Sequence, residues 1–250
     1  MRSTFKSASK SHVGMVRQVN EDACLDLPEN GLWVVADGMG GHAAGDYVSS
    51  LIVDSLRSIP VGRSLEEYTA ALRSDLLRVN GAVREETAHR GVTMMGSTVV
   101  LLATRGLRGV CLWAGDSRIY LYRNARLQQL TRDHSQAEEL KARGVPSSSD
   151  MSAAVANMIT RAVGAADTID VDLVTLEAAD GDMLLLCSDG LSNPVDEHAI
   201  AQALALGDCA QAAQVLVALA LANGGRDNIT VVVVRADDVG SDRTMVNPAL

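Results

Sequence analysis

Short apolar runs, each bounded by glycine, asparagine or aspartate, recur along the chain and are typical of β-strands. They are LWVVA (32–36), STVVLLAT (97–104), GVCLWA (109–114), RIYLY (118–122), MLLLC (183–187) and ITVVVV (229–234). The alternation of Ile169, Val171 and Leu173 predicts a further, half-buried strand at DVDLV (170–174). The pattern therefore predicts a strand-rich fold.

Helical segments follow these runs in pairs. The first pair is expected at about 43–58 and 65–89, the second helix being opened by a capping box at Ser64. The second pair follows MLLLC, where Asn193 before a proline predicts one helix start and Asp208 predicts the other. Neither pair fits the strict alternation of strand and helix that builds parallel sheets.

The connections favour antiparallel pairing. Only residues 115–117 separate GVCLWA from RIYLY, which predicts a hairpin. Helix pairs on mainly antiparallel strands predict a layered α+β fold, and no low-complexity linker divides the chain into domains. The irregular stretch 143–151 (RGVPSSSDM) is expected to form a surface flap, and the tail from 236 to 250 is expected to fray.

Composition narrows the class of protein. The 250 residues are 47% hydrophobic and 21% charged, which is typical of a globular protein. The longest apolar run, 215–222, is far shorter than the roughly 20 residues of a spanning helix, and no signal peptide or lipid anchor is readable. The four cysteines lack C-x-x-C spacing, so neither disulfides nor zinc fingers are expected. We expect a cytoplasmic protein without membrane contact.

The net charge of -9 argues against a nucleic-acid partner, because such binding depends on neutralising phosphates with basic side chains. Acidic residues instead stand at the ends of apolar runs: Asp37, Asp116 and Asp189 follow three of them, and Asp227 precedes a fourth. In antiparallel sheets such positions meet, so we expect all four at one sheet edge. Crowded carboxylates favour hard divalent cations such as Mg²⁺ or Mn²⁺, although any single Asp-Gly is also ordinary turn chemistry.

The hexapeptide RQVNED adds a cation and two acids, Arg17, Glu21 and Asp22. By itself it is a typical solvated loop. Next to the four aspartates it would give one site two metals and an oxyanion-binding arginine, which is the equipment for metal-assisted transfer of a phosphoryl group to water.

Other sequence patterns that would indicate a different chemistry fit this chain less well. GMGGHA (38–43) fits a dinucleotide-binding turn, but Asp37 would oppose a pyrophosphate and the expected second strand is missing. The cysteine phosphatase pattern C-x5-R fails, because Ser117 stands six positions after Cys111. Nucleophile-elbow, Walker A and EF-hand patterns are not present in the sequence.

Taken in order, RQVNED, ADGMGGHAAG, GSTVV, AGDSRIY, LTRDHS, ITRAVG, LLLCSDGL and GRDNIT resemble the signature series of the metal-dependent type 2C protein serine/threonine phosphatases. The resemblance covers about residues 10–235. It implies an α/β/β/α sandwich with a binuclear Mn²⁺ or Mg²⁺ centre at one end, in a single, monomeric, bacterial-type catalytic domain over 1–250. The flap, placed at about 135–158, would lie beside the active site.

The same resemblance implies a set of metal ligands. Asp37 would bridge the two ions, and Asp189 and Asp227 would complete the protein ligands of the first. The Gly38 carbonyl and Glu21 would serve the second ion. A water activated between the ions would attack phosphorus in line, without a phosphoenzyme.

Further roles follow from the resemblance. Asp22 would hold water on the metal, Arg17 would clamp the phosphate, and Asp116 would bind a third, weaker ion. Many members carry histidine directly after Asp-Gly as a candidate general acid, but here that residue is Met39. His42 is then the candidate proton donor, with a surface or helix-cap histidine as the alternative.

Three methionines, Met94, Met95 and Met158, are expected to fill the core, and His134 is expected to be structural. The leading hypothesis is a phosphatase acting on phosphoserine and phosphothreonine in proteins, with the substrates of a cognate serine/threonine kinase as partners. A two-metal small-molecule phosphatase or phosphodiesterase, an inactive phosphoprotein-binding module and a dinucleotide binder remain as alternatives.

Overall fold

The strands form two antiparallel sheets in the computed structural model, which describes residues 3–40, 44–144 and 158–238. The first sheet has the order β1 (Ser3–His12), β11 (Ile229–Asp238), β10 (Met183–Cys187), β7 (Arg118–Arg123) and β8 (Arg126–Gln129). The second has the order β2 (Asp22–Leu27), β3 (Leu32–Met39), β5 (Val99–Arg105), β6 (Arg108–Ala114) and β9 (Asp172–Glu177), with the short β4 (Gly96–Ser97) paired to β3.

Helices cover the outer face of each sheet. On the second sheet lie α1 (Gly45–Arg57) and α2 (Leu65–Arg90), whose side chains share one core with β2, β3, β5 and β6. On the first sheet lie α4 (Asp189–Ser192), α5 (Glu197–Leu204) and α6 (Cys209–Ala222). A further helix, α3 (Gln136–Ala142), contributes no buried residue. These layers give the α/β/β/α sandwich of the α+β class that the sequence predicted.

The two sheets pack face to face through a third apolar layer. Its fully buried side chains are Trp33, Val35, Val100, Leu102, Cys111, Ile119, Leu184, Leu186, Val232 and Val234. Central strands are thus covered on both faces, one by helices and the other by the opposite sheet. This explains why their sequences are continuous apolar runs instead of alternating ones.

The predicted hairpin at residues 115–117 is wrong. β6 pairs with β5 and β9, whereas β7 pairs with β10 and β8, so the three-residue link crosses from one sheet to the other. β6 has a hydrogen-bonded neighbour on each side, so β7 cannot pair with it. A short link keeps two consecutive strands close together but does not require them to pair with each other. The consequence is that Asp116 lies where the two sheets meet.

Two local predictions also need correction. The helix expected to start at Asn193 begins at Glu197, where Asp196 accepts a hydrogen bond from the Ala199 N–H at 2.8 Å. Leu173 was expected to be buried in phase with Val171, but it is 43% exposed, because β9 starts at Asp172 with the opposite phase. Asp208 does cap α6 as predicted.

Residues 236–238, which were expected to belong to a frayed tail, instead continue β11 as the partner of β1. The rest of that tail, residues 239–250, lies outside the described residues, as do 145–157 of the flap and 41–43 at the expected start of α1. Met95 is fully buried as predicted. Met94 and Met158 are 49% and 57% exposed, so the prediction that they fill the core is wrong.

The antiparallel pairing of β3 with both β2 and β5 leaves GMGGHA without the parallel strand and crossover of a dinucleotide-binding unit. All four cysteine thiols are free in the described part of the chain, as expected. Over residues 3–40, 44–144 and 158–238, no helix combines the length and apolar character that crossing a bilayer requires.

We predict that Leu186→Ala lowers the free energy of unfolding by about 2–5 kcal/mol, because it leaves a cavity in the layer between the sheets. Denaturant unfolding measures the change. Leu206→Ala is the matched control, since Leu206 is 47% exposed, and we expect less than about 1 kcal/mol there. Equal losses at the two sites would contradict the assignment of this layer as the core.

Candidate functional site

The second sheet brings one group of acidic residues together. Asp22 opens β2 and lies directly opposite Asp37 in β3. The ladder extends one step further, where the Gly38 N–H donates to the Glu21 carbonyl at 3.1 Å. Strand pairing therefore places Glu21, Asp22, Asp37 and Gly38 side by side at one end of this sheet.

The first sheet supplies two more acids at the same end. Asp189 is the first residue of α4, directly after β10, and Asp227 stands just before β11. Asp37 in β3 and Asp189 at the start of α4 are close enough to affect each other's pKa, although they come from opposite sides of the sandwich. The acids thus gather at one end of the sandwich. The sequence had predicted that they would lie at the edge of a single sheet.

Ser188 joins the two sheets at this point. Its hydroxyl donates to Asp22 Oδ2 at 2.8 Å and accepts from the Thr230 N–H at 3.0 Å. A single side chain thereby links β10 and β11 of the first sheet to β2 of the second. The Asp22 carboxyl group is held in place from across the sandwich.

Asp116 lies in the link that crosses between the sheets. The preceding Gly115 has φ +118°, and its N–H donates to His134 Nδ1 at 3.1 Å. Ser117 shares a hydrogen bond of 2.7 Å with Thr98, whose N–H also donates to the Asp37 carbonyl at 2.9 Å. His134 therefore has the structural role expected of it, and it shapes the link that carries Asp116.

Arg17 lies at the rim of this group, where its Nη2 contacts Asp227 Oδ2 at 2.8 Å. Its side chain is 52% exposed. The loop that carries it is held by Asn228, which accepts from the Glu21 N–H at 2.7 Å and donates to the carbonyls of Val13 and Val19. Asn228 therefore fixes the RQVNED loop against the start of β11.

Close backbone packing makes two glycines necessary at the site. A Cβ added to Gly38 would lie 2.2 Å from the Gly45 carbonyl oxygen, and one added to Gly190 would lie 1.8 Å from that of Asn228. No side chain fits at these separations. The backbone at Gly38 and Gly190 can approach its neighbours only because both residues lack a Cβ.

The half-buried acids resist ionisation. Burial, with neighbouring carboxylates adding to it, raises the pKa of Asp22 to about 7 and that of Asp116 to about 7. Burial also raises the pKa of Asp189, and it raises that of Asp37 well above its ordinary range. Each carboxylate lies near at least one other of the set, so ionising one makes ionising the next more costly.

Two of these carboxyl groups are incompletely satisfied. The buried Asp22 Oδ1 and Asp116 Oδ1 have no hydrogen-bond partner among the described residues. Buried carboxylate oxygens without donors, backed by a backbone carbonyl at Gly38, are the donor chemistry that hard divalent cations prefer. In the part of the chain that the structure describes, no three Asp, Glu, His or Cys side chains are already grouped as they would be around an ion. Asp227 is paired with Arg17.

Solvent reaches the site through an open cavity of about 420 Å³ beside Asp189 and Asp227. It is lined further by Gly190, Asn193, Pro194, Asn223 and Arg226. The predicted proton donor His42 lies outside the described residues. The other predicted site residues, Arg17, Glu21, Asp22, Asp37, Gly38, Asp116, Asp189 and Asp227, all lie at this end of the sandwich.

Sequence reasoning missed the residues that hold the acids in place, namely Ser188, Asn228 and Thr98. Each lies inside a motif already noted, in CSDG, RDNI and GSTV, directly beside a functional residue or across the sheet from one. The sequence signal that could have identified them was a polar residue at the start of an otherwise apolar strand. The hydrogen-bond partners of these three residues could not be predicted, because they are distant in sequence.

Comparison with known proteins agrees with this geometry. The family profile described as Protein phosphatase 2C matches residues 9–215. Serine/threonine protein phosphatase PstP of Mycobacterium tuberculosis is 37% identical over 251 residues, which cover 98% of this chain and 47% of the relative. This chain thus spans about half the length of that relative.

Two solved structures are similar over nearly the whole chain. PppA, described as a key regulatory component of T6SS in Pseudomonas aeruginosa, is 52% identical with a TM-score of 0.87, covering 94% of this chain and 100% of that one. The PstP catalytic domain in complex with two manganese ions is 35% identical with a TM-score of 0.81, covering 95% of this chain and 100% of that one.

We predict that Asp116→Asn stabilises the protein in EDTA at pH 8 but has little effect at pH 4.5. The raised pKa of about 7 in the folded state means that folding retains a proton that the unfolded chain loses, so stability falls as pH rises from about 4 to 7. The amide removes this penalty. We expect the gain in unfolding free energy to be larger at pH 8 by about 1–3 kcal/mol.

Denaturant unfolding at both pH values checks this expectation. The control is Asp170→Asn, which removes one acid from an exposed position and should change stability by less than about 0.5 kcal/mol at either pH. A gain from Asp116→Asn that is the same at pH 4.5 and pH 8 would show that the Asp116 carboxyl group is not under this electrostatic load.

Proposed function

Since the chain belongs to the protein phosphatase 2C family, we propose that it removes phosphate from phosphoserine and phosphothreonine in proteins by metal-dependent hydrolysis. The observation that carries the proposal is the cluster of half-buried acids at the end of the sandwich, in which two buried carboxylate oxygens lack partners among the described residues. Cations are the natural complement of such a cluster. The two manganese ions in the related PstP catalytic domain support Mn²⁺ or Mg²⁺ as those cations.

In this proposal the ligands come from both sheets. Asp37 would be a ligand of both ions. Asp189 and Asp227 would complete the protein ligands of the first, while Glu21 and the Gly38 carbonyl would serve the second. When bound, such ions supply Lewis acidity and lower the pKa of water, so that water can attack phosphorus at neutral pH without a covalent phosphoenzyme.

Arg17 is the proposed phosphate-binding residue. Its ion pair with Asp227 is exposed, with 52% and 39% of the two side chains accessible, and such pairs contribute only about 0–1 kcal/mol. Arg17 can therefore exchange Asp227 for a phosphoryl group, which a guanidinium binds through two parallel donors. Once Arg17 has left Asp227, the Asp227 carboxylate is free to act as a metal ligand.

Asp22 and Asp116 have supporting roles in the proposal. Asp22 is held by Ser188 on one oxygen, which leaves the other to accept a hydrogen bond from water at the site. Asp116, in the crossing link, provides the acid for a third and weaker ion.

The setting is also part of the proposal. We propose a single catalytic domain over the chain, acting as a monomer in the cytoplasm on the phosphorylated targets of a serine/threonine kinase. A regulatory task is supported by the description of PppA as a key regulatory component.

We predict metal-dependent phosphate release from a phosphothreonine peptide. Release should be strong with Mn²⁺, absent in EDTA, and at least about 100-fold lower for Asp189→Asn, because the amide removes a charged ligand. Asp170→Asn, an exposed change of the same chemistry, should retain the wild-type rate. Undiminished release in EDTA, or from Asp189→Asn, would contradict the proposal.

His42 gives a separate prediction from the sequence. If it donates the proton to the leaving alkoxide, His42→Ala should lower kcat more on a phosphate ester with a poor leaving group than on one with a good leaving group. An alkyl and a nitrophenyl phosphate form a suitable pair. A loss of equal size on both would show that His42 is not the proton donor.

A further inference from the structure

Exposed methionines line a groove next to the acid cluster. Met94 and Met158, which are 49% and 57% exposed, converge with Met39 around an apolar cavity of about 240 Å³. The remaining lining residues are Ile159, Arg161, Ala162 and Ala165. We call this cavity the methionine groove. Single exposed apolar side chains are ordinary, but here three methionines converge on one cavity and form a contiguous apolar surface next to the proposed active site.

The groove is continuous with the proposed active site through β3. Met39 is two residues after Asp37 in this strand, so the two side chains lie on the same face, about 7 Å apart along the strand. Met39 is held there by packing on Gly96, where an added Cβ would come within 3.0 Å of its Cε. One wall of the groove therefore starts beside the acid cluster.

The charged residue at the rim of the groove, Arg161, already has an acidic partner. Arg161 Nη1 contacts Asp172 Oδ1 at 3.1 Å, and Asp172 Oδ2 contacts His134 Nε2 at 3.2 Å. Because its guanidinium is engaged by Asp172, Arg161 contributes mainly its aliphatic stem to the groove. The groove is therefore suited to an apolar side chain, and methionines adapt well to side chains of different shape.

We infer that the methionine groove binds a large apolar side chain of the substrate, two positions from the phosphorylated residue. The inference rests on the proposed function. In an extended peptide, side chains two residues apart lie on one face and are about 7 Å apart, which matches the spacing of Asp37 and Met39. A phosphoryl group at the acid cluster would thus place its second neighbour over the groove.

The test compares two phosphothreonine peptides that differ only at the positions two residues before and after the phosphothreonine, with leucine at both or serine at both. With Mn²⁺ present, we expect kcat/KM to be about 5–20-fold higher for the leucine peptide, mainly through a lower KM. In the double variant Met94→Ser with Met158→Ser, the preference should fall to within about twofold.

The matched control is Leu77→Ser with Leu206→Ser, which removes two equally exposed apolar side chains away from the groove, and it should keep the full preference. Equal kcat/KM for both peptides in the wild-type protein would overturn the inference. Phosphate release from neither peptide would instead refute the proposed function, so the two failures are distinguishable.

Discussion

The partial burial of several like charges at one end of a rigid sandwich is the constraint on which the site depends. Asp22, Asp37, Asp116 and Asp189 are all held where burial and mutual repulsion disfavour their ionised forms. Such an arrangement is costly for a folded chain, and only strong local support maintains it. The support comes from hydrogen bonds that reach across the two sheets, above all from Ser188 to Asp22.

The architecture explains how this cost is tolerated. Three apolar layers, one between the sheets and one under each helical cover, fix the strand ends from which the acids project. Asn228 then fastens the loop that carries Arg17, and the crossing link carries Asp116 between the sheets. The same rigidity that holds the repelling carboxyl groups close together also preorganises them as ligands for cations. Bound cations would relieve the repulsion.

The sequence predicted the central strands well and the edges poorly, for a physical reason. MLLLC and ITVVVV are covered on both faces and read as continuous apolar runs, whereas β1, an edge strand with the polar sequence STFKSASKSH, carries no such signal. The acids were predicted to meet because each follows or precedes a strand. That they come from two sheets was not predictable, since the link at 115–117 was short enough to look like a hairpin.

The site residues were predicted by motif, but their supports and surroundings were not. Ser188 and Asn228 act through partners far away in sequence, so spacing could not identify them. Met94 and Met158 were expected in the core because methionine is usually apolar filling, yet the structure exposes both beside the acids. Hydrophobicity alone does not distinguish a core residue from one that lines a binding groove.

The most direct test of the central claim, that this half-buried acid cluster is a cation site, is anomalous diffraction at the manganese edge from crystals grown with Mn²⁺. The account predicts at least two anomalous peaks among Asp37, Asp189, Asp227 and Glu21, each about 2.0–2.6 Å from ligand oxygens. Well-ordered carboxylates without any peak among them, or peaks only elsewhere on the surface, would contradict it.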